Sequence, residues 1–514
     1  MLIRSKSFWG SLFVLALWLA LVIFLATHHE FRRDEVRALS LARAAHWPWE
    51  LFALTRYDGH PILWYVALYI GLCISSSPLV LPIVSIAFAF VAVAIVLRYA
   101  PFSFWFKCLF VFSGLPLYEY AVTARNYGIS LLLMVIAAAL YKHRTRHGWW
   151  LALVLALLAN TNVHSALIVG IIAGMWVLSL TTNLAGWRLR LLAHQRSTAP
   201  TFEVLAQFVL IAAGIALCAL TTWPTQDTIL TSAHRAFRLD EFALSLLTAL
   251  VRPDLTFEHL TPYPLSPVVT GVLLALSVIG LIRRPALFLA ALTVQILLGL
   301  LFLLVYSGSY RHEGLFLIFL LFLYWQWADS PNPKSRWFNL GFYGGLLPLV
   351  LLNVILGGQY AWDDVQHELS SNRAFGQLIQ RTSTYPNAII MAEPDYAVES
   401  LPYYADNAFY LLREGRFSKT VSWTTASADR MSLGQLLAAA KQIQAQEHRP
   451  ILIALGHLDI DDAAKQHSGE KRYSYNKTFA WSAEDWAAFS AATEHVATFD
   501  VATSDEIYAV YLLK

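Results

Sequence analysis

Charge is scarce in this chain: 14% of its 514 residues are Asp, Glu, Lys or Arg, against about a quarter in an ordinary soluble domain. With a mean hydropathy of +0.52, that shortage excludes a soluble globular protein and leaves an integral membrane protein. Cysteine is nearly absent as well. Cys73, Cys108 and Cys218 all fall inside apolar segments, so they offer no disulfide framework, no soft-metal cluster and no thiol chemistry. No glycine-rich phosphate loop is present, since "ALGHLD" at 454–459 holds one glycine and matches no nucleotide fingerprint. There is no internal repeat and no low-complexity tract, and no nucleic-acid partner is expected.

Long apolar runs take the place of all these. Those at 12–26, 79–97, 204–221 and 287–305 approach or reach the ~20 residues that cross a hydrocarbon core as a helix. His28-His29-Glu30, and no small-residue cleavage motif, follows the first run, so it is expected to be a retained anchor. Charge divides the chain in two. From Asp363 onward there are 13 Lys+Arg against 20 Asp+Glu, a balance of −7; the remaining 24 against 14 give +10, and together they make the +3 of the whole. Residues 1–362 are therefore expected to form a membrane body with a first outer loop at 28–78, and residues 363–514 a separate acidic domain.

Short basic connections at 142–146, 188–196, Arg283-Arg284 and Lys334 with Arg336, together with Arg4 and Lys6, mark the cytoplasmic side by the positive-inside rule. That assignment is consistent only if the run at 61–77, which opens His60-Pro61 and closes Ser75-Ser76-Ser77-Pro78, dips into the outer interface without crossing. Eleven crossings follow, at 8–27, 79–98, 103–119, 128–142, 149–163, 166–182, 204–222, 265–282, 285–306, 314–328 and 338–357. The amino terminus then lies inside and the carboxyl terminus outside. Of the acids in the body, only Glu203 and Asp329 then fall inside. Beyond the body, strand-like bursts at 387–391, 450–455, 496–501 and 507–513 alternate with helix-like stretches at 373–382, 432–444 and 483–492, which predicts an α/β layered domain.

With sidedness set this way, the unusual polar residues gather at outer ends: Asp34-Glu35, Asp58-Gly59-His60, Glu119, Arg125-Asn126-Tyr127, Asn160-Thr161-Asn162 with His164, and Tyr310-Arg311-His312-Glu313. Each has a structural reading beside a functional one. Asp34 and Glu35 either solvate a loop or supply a general base, and the aromatic residues around them, His46, Trp47, Trp49, Phe52 and Tyr57, favour a structured element lying on the bilayer. His60-Pro61 either starts a helix or binds substrate. Arg125 and Arg311 either snorkel or clamp an oxyanion with their forked donors. His164 either pairs with Asn160 or lines a site. No spacing forces a metal site; one hard divalent cation on Asp34 or Glu35 is the most that the pattern allows.

The Asp34-Glu35 pair just beyond the first membrane helix, followed by Asp58-Gly59-His60-Pro61 and Trp64-Tyr65, resembles the first exoplasmic loop of polytopic lipid-linked-sugar glycosyltransferases of the GT-C class. The protein O-mannosyltransferase, aminoarabinose-transferase and rhizobial lipopolysaccharide-transferase branches are the most similar. There the later segment reads roughly His-Pro-Pro-Leu-Tyr-Tyr; here Ile62 stands for the second proline and Trp64 for the first tyrosine. "TARNYG" at 123–128 and "YRHEG" at 310–314 are similar to further outer-loop motifs of the class. The resemblance covers about 360 residues diffusely and does not extend to the acidic domain.

It implies a bacterial inner-membrane enzyme that transfers a sugar, with inversion, from a polyprenyl phosphate to a lipid, glycan or protein acceptor on the periplasmic face. Asp34 would be the general base and Glu35 would orient it or bind the acceptor. His60, Arg125, Tyr127, His164, Arg311 and His312 would bind substrate, the cationic ones stabilising the phosphate leaving group. Members of the class differ in metal need, so no cofactor follows. The alternative is a transporter or flippase of a lipid-linked glycan, which needs polar residues midway through several spans; Gln295 is the clearest of few.

Overall fold

The computed structural model describes residues 2–181, 201–229, 239–262, 265, 267–330, 335–456, 468–473 and 477–514. The basic connections at 188–196 and Lys334 lie outside the described residues. The first part of the chain is helical: α1 (Leu2–His28), α2 (Arg33–Ala44), α3 (Leu51–Leu54), α4 (Leu63–Ile74), α5 (Val80–Tyr99), α6 (Phe104–Val111), α7 (Tyr127–Tyr141) and α8 (Gly148–Ala159). It continues with α9 (Val163–Thr181), α10 (Thr201–Thr222), α11 (Leu239–Val251), α12 (Pro267–Ile279), α13 (Pro285–Leu304), α14 (Tyr310–Ala328), α15 (Arg336–Gly341) and α16 (Leu347–Gln366).

Six helical stretches among the described residues are long and apolar enough to cross a membrane: Phe8–His28, Val80–Tyr99, Val163–Leu180, Thr201–Thr222, Pro285–Leu304 and the continuous Arg336–Gln366. A helix of 20 residues is about 30 Å long, the thickness of a hydrocarbon core, and the chain is a multi-pass membrane protein. The other five expected spans fall on shorter, interrupted or less apolar helices. The run at 103–119 is not one helix: α6 stops at Val111, and a π-helical turn follows at Leu115–Glu119. Pro116, which has no N–H to give, stands at the start of that turn. The run at 61–77 becomes α4, 12 residues or about 18 Å, the same length as α8.

α14 is the axis of the bundle. Every residue from Glu313 to Trp325 is buried, so its polar first turn, Tyr310 to Glu313, is held at one fixed place by apolar packing along the rest of the helix. Around it the backbones of the π-helical turn and α16 approach closely at two glycines: a Cβ on Gly114 would lie 2.6 Å from the Gly357 Cα, the small-residue contact by which membrane helices pack. α11 has no counterpart among the expected elements. Its 13 residues lie against α13, where Gln295 Nε2 donates to the Ala249 carbonyl at 3.3 Å. The clearest mid-span polar residue is thereby satisfied within the fold.

The remainder is a sheet-containing region. Its elements are α17 (Asn372–Arg381), β1 (Ile389–Glu393), β2 (Ala408–Leu411), β3 (Arg416–Phe417), β4 (Arg430–Ser432), α18 (Leu433–Glu447), β5 (Ile451–Leu455), β6 (Gly469–Tyr473), β7 (Lys477–Trp481), α19 (Ala483–Ala492), β8 (Thr493–Phe499) and β9 (Tyr508–Leu513). Six strands form one mixed sheet in the order β3-β2-β1-β5-β9-β8, and β4-β7-β6 form a second. Because side chains alternate along a strand, Ile389, Met391, Ile451 and Ile453 meet α18 through Leu433, Leu436 and Ala440. Ile390, Leu452, Ala454 and Val510 meet Phe375 and Ile379 of α17 on the other face. Both faces are covered, which explains why β5 is apolar at every position and β1 at every position but its last, Glu393, which pairs with Arg413 at 2.7 Å.

Candidate functional site

The first outer loop is a folded element. α2 opens with Arg32 as its N-cap residue, and the Glu35 carboxylate reaches back to accept the Arg32 N–H at 3.0 Å. Glu35 also accepts the Ala124 N–H at 2.8 Å and the His29 ring N–H at 3.1 Å. Its side chain is buried and its oxygens are fully engaged. His29 donates its other ring N–H to Asp364 Oδ2 at 2.8 Å, which the Tyr118 hydroxyl also reaches at 2.8 Å. Burial penalises both charges, yet the mutual attraction, with help from Asp364, lifts His29 to about 10 and holds Glu35 below the usual carboxylate range. Four chain segments are fastened at this one imidazolium.

Asp34 points the other way. Its side chain is 56% exposed, and Oδ2 lies 2.5 Å from Nη1 of Arg125, whose own side chain is 10% exposed. The surrounding protein opposes the charge on Asp34, but Arg125, then Arg311 and Arg33, outweigh that and hold its carboxyl well below the usual range. Arg125 Nη2 donates to His60 Nε2 at 3.1 Å. Burial and the Arg125 cation both push His60 down, so the imidazole is neutral and accepts. Gly59 takes a positive φ of 66°, turning the chain so that Asp58 and His60 line the same small recess as Asp34 and Arg125. Asp58 takes donors from Arg37 Nε and the Tyr65 hydroxyl.

The remaining expected residues stand beside this recess. Arg311 Nε pairs with Glu119 Oε1 at 2.8 Å, and the Tyr120 hydroxyl donates to the Arg311 carbonyl at 2.7 Å. His312 stacks on His164, with ring centroids 5.0 Å apart, and meets Tyr127 edge-on at 5.7 Å. The Tyr306 hydroxyl bonds His164 Nε2. His164 therefore does not pair with Asn160, whose Nδ2 donates to the Ala156 and Gly214 carbonyls at 2.9 Å. Neither arginine snorkels, since each ends on a carboxylate. Residues from five separate stretches thus converge on one region, with Asp34 as its most open carboxylate.

Sequence reasoning did not assign His29, Arg37, Asp364 or Glu399 to the site. Arg37 Nη1 pairs with Glu399 at 2.5 Å and donates to the Val421 carbonyl at 2.7 Å, tying α2 to the sheet-containing region. Arg33 does the same through Asp505 at 2.8 Å, and its N–H reaches Glu506 at 2.8 Å. A basic residue that recurs on one helix face beneath a distant acid leaves no local signal in sequence. The two adjacent carboxylates do not form a cation site: Asp34 is capped by a guanidinium and Glu35 by three donors. Among the described residues no group of three or more His, Cys, Asp or Glu assembles for a metal. No family model matches the chain, and no curated protein matches it.

Proposed function

We propose that the protein is a membrane glycosyltransferase of the GT-C kind, with eleven crossings, that moves a sugar from a polyprenyl phosphate to an acceptor on the outer face of a bacterial inner membrane. The observation that carries this reading is the Asp34–Arg125 pair, flanked by Arg311 and His60 and set beside lipid-facing helices. A carboxylate to take a proton and the Arg125 guanidinium fork to take a phosphate stand within one hydrogen bond of each other, where a lipid tail has bilayer and a sugar phosphate has water.

In the chemistry this geometry supports, Asp34 accepts the acceptor hydroxyl proton as the oxygen attacks the anomeric carbon. The bond from that carbon to the phosphate oxygen breaks, and its electron pair stays on the phosphate. Arg125 and Arg311 stabilise the charge that grows there. The resting ion pair adds an ordering device. While Arg125 is paired with Asp34, the carboxylate is a weak base; a phosphate that draws the guanidinium away restores its proton affinity, so the base is armed once the donor is bound.

The test is transfer from radiolabelled polyprenyl-phosphate sugars by the purified protein. Asp34→Asn is expected to lower the rate by about 10²–10⁴-fold, the usual contribution of a general base. An unchanged rate would remove Asp34 from this role, and transport of the lipid-linked sugar without transfer would favour a flippase.

A further inference from the structure

The turn that joins α7 to α8 has no part in the proposed reaction. α7 begins at Tyr127, next to Arg125 and Asn126 of the Asp34 recess, and its 15 residues carry the chain about 22 Å to Tyr141, at the opposite end of the bundle. There the chain turns through Lys142-His143-Arg144-Thr145-Arg146, a basic connection that the positive-inside rule assigns to the cytoplasmic side. Lys142, His143 and Arg146 are exposed, but Arg144 folds back into the bundle and is 7% exposed. Its Nε donates to Ser179 Oγ of α9 at 3.3 Å and its Nη1 to the Tyr141 carbonyl at 3.0 Å, while the guanidinium carbon lies 4.6 Å from the centre of the Tyr141 ring.

The partners of Arg144 among the described residues are therefore neutral. Ionisable groups inside a membrane protein ordinarily pair with one another, and a buried charge left uncompensated is strongly destabilising. The acids of this face are already engaged. Asp329 pairs with Lys142 at 3.2 Å, and Glu203 accepts from Trp149 Nε1 at 2.8 Å. The sequence at 182–200, which follows α9, contains no Asp or Glu. Beneath the guanidinium, the Tyr141 hydroxyl is also buried without a hydrogen-bond partner, and a buried polar group of this kind calls for one. Two groups in contact thus both want an oxygen acceptor.

We infer that Arg144 holds the phosphate of an anionic phospholipid in the adjoining leaflet. A guanidinium fork fits two phosphate oxygens at once. Lys142 and Arg146 add positive charge around it, which favours a headgroup of net negative charge over a zwitterionic one. What flanks the turn favours a lipid over a free anion. Trp149 and Trp150 are exposed and of the type that marks the headgroup level. Leu178, beside Ser179 on α9, is exposed and apolar, so an acyl chain has a surface to follow where its phosphate meets Arg144. The lipid then neutralises the charge that fastens α7 to α9, and the site is independent of the transferase reading.

The experiment is native mass spectrometry of the full-length protein, stripped of lipid in detergent and titrated with phosphatidylglycerol, phosphatidylcholine or inorganic phosphate. Phosphatidylglycerol is expected to bind about tenfold more tightly than phosphatidylcholine, and excess phosphate should not displace it. Arg144→Gln should weaken phosphatidylglycerol binding by about tenfold, whereas Arg146→Gln, the loss of an exposed and screened charge in the same turn, should weaken it by about twofold at most. Equal binding of the two lipids by the wild type, a comparison that needs no variant, would overturn the inference. So would displacement by phosphate, which would make the occupant a free anion, or equal losses in the two variants, which would mark diffuse attraction to a basic surface.

Discussion

Successive residues of a helix are turned by about 100° from each other, and in the first turn of α2 that rotation sends two adjacent carboxylates to different work. Asp34 faces the recess and one guanidinium. Glu35 faces inward and fixes the Arg32 and Ala124 N–H groups and the His29 imidazolium. Ala124 precedes Arg125, so Glu35 sets the position of both members of the Asp34–Arg125 pair without touching either. Removing one member of a buried pair strands the other charge, at a typical cost of about 3–5 kcal/mol. Glu35→Ala is therefore expected to destabilise the protein by about that amount, read from denaturant titration in micelles.

The same residues set a pH dependence. His29 holds its proton more tightly when folded, at about 10, than its ordinary value of 6.5. Its stabilising contribution is complete below about 6.5 and fades as pH climbs towards 10. Thermal unfolding of the wild type should show this alkaline loss, and His29→Gln should flatten it. A curve of equal slope in the variant would show that other groups carry the effect.

At the scale of elements, hydropathy and close packing make different demands. α14 carries the polar turn of the site yet is the most enclosed helix of the body, which is why it falls outside the six stretches apolar enough to span on composition alone. The contact between Gly114 and Gly357 leaves no room for a side chain. Overpacking such a contact costs about 1–3 kcal/mol, so Gly357→Val should lower thermal stability measurably. Gly358→Val, one residue on, meets nothing within 4 Å and should not. Equal effects of the two would point to helix propensity, not to the contact, as the cause.

At the scale of the whole molecule, the reading stands on sidedness. With the native cysteines replaced, single cysteines at positions 34, 311 and 503 are expected to react with a membrane-impermeant maleimide from the same side of the membrane, and cysteines at 144 and 283 from the other. Labelling of 34 and 311 from opposite faces would end the proposal of one site.

Much of the architecture was legible in the chain itself. Apolar runs mark α1, α5, α10 and α13 because lipid demands about 20 uninterrupted apolar residues. The bursts at 450–455 and 507–513 mark β5 and β9 because a sheet covered on both faces is apolar throughout. The expected helix at 483–492 matches Ala483–Ala492, where Ser482 and Asp485 form a capping box. α11 and the short strands β2, β3, β4, β6 and β7 were not legible, since brief segments take their conformation from neighbours distant in sequence.

The same division holds at the site. The sequence by itself determined that the chain belongs in a membrane, where its long apolar helices lie, and which polar residues stand out against them, because composition and period are local properties. Only the tertiary structure decided that Asp34 meets Arg125 while Glu35 is locked to His29 and Asp364, because an ion pair across 335 residues exists only once packing has brought its two ends together.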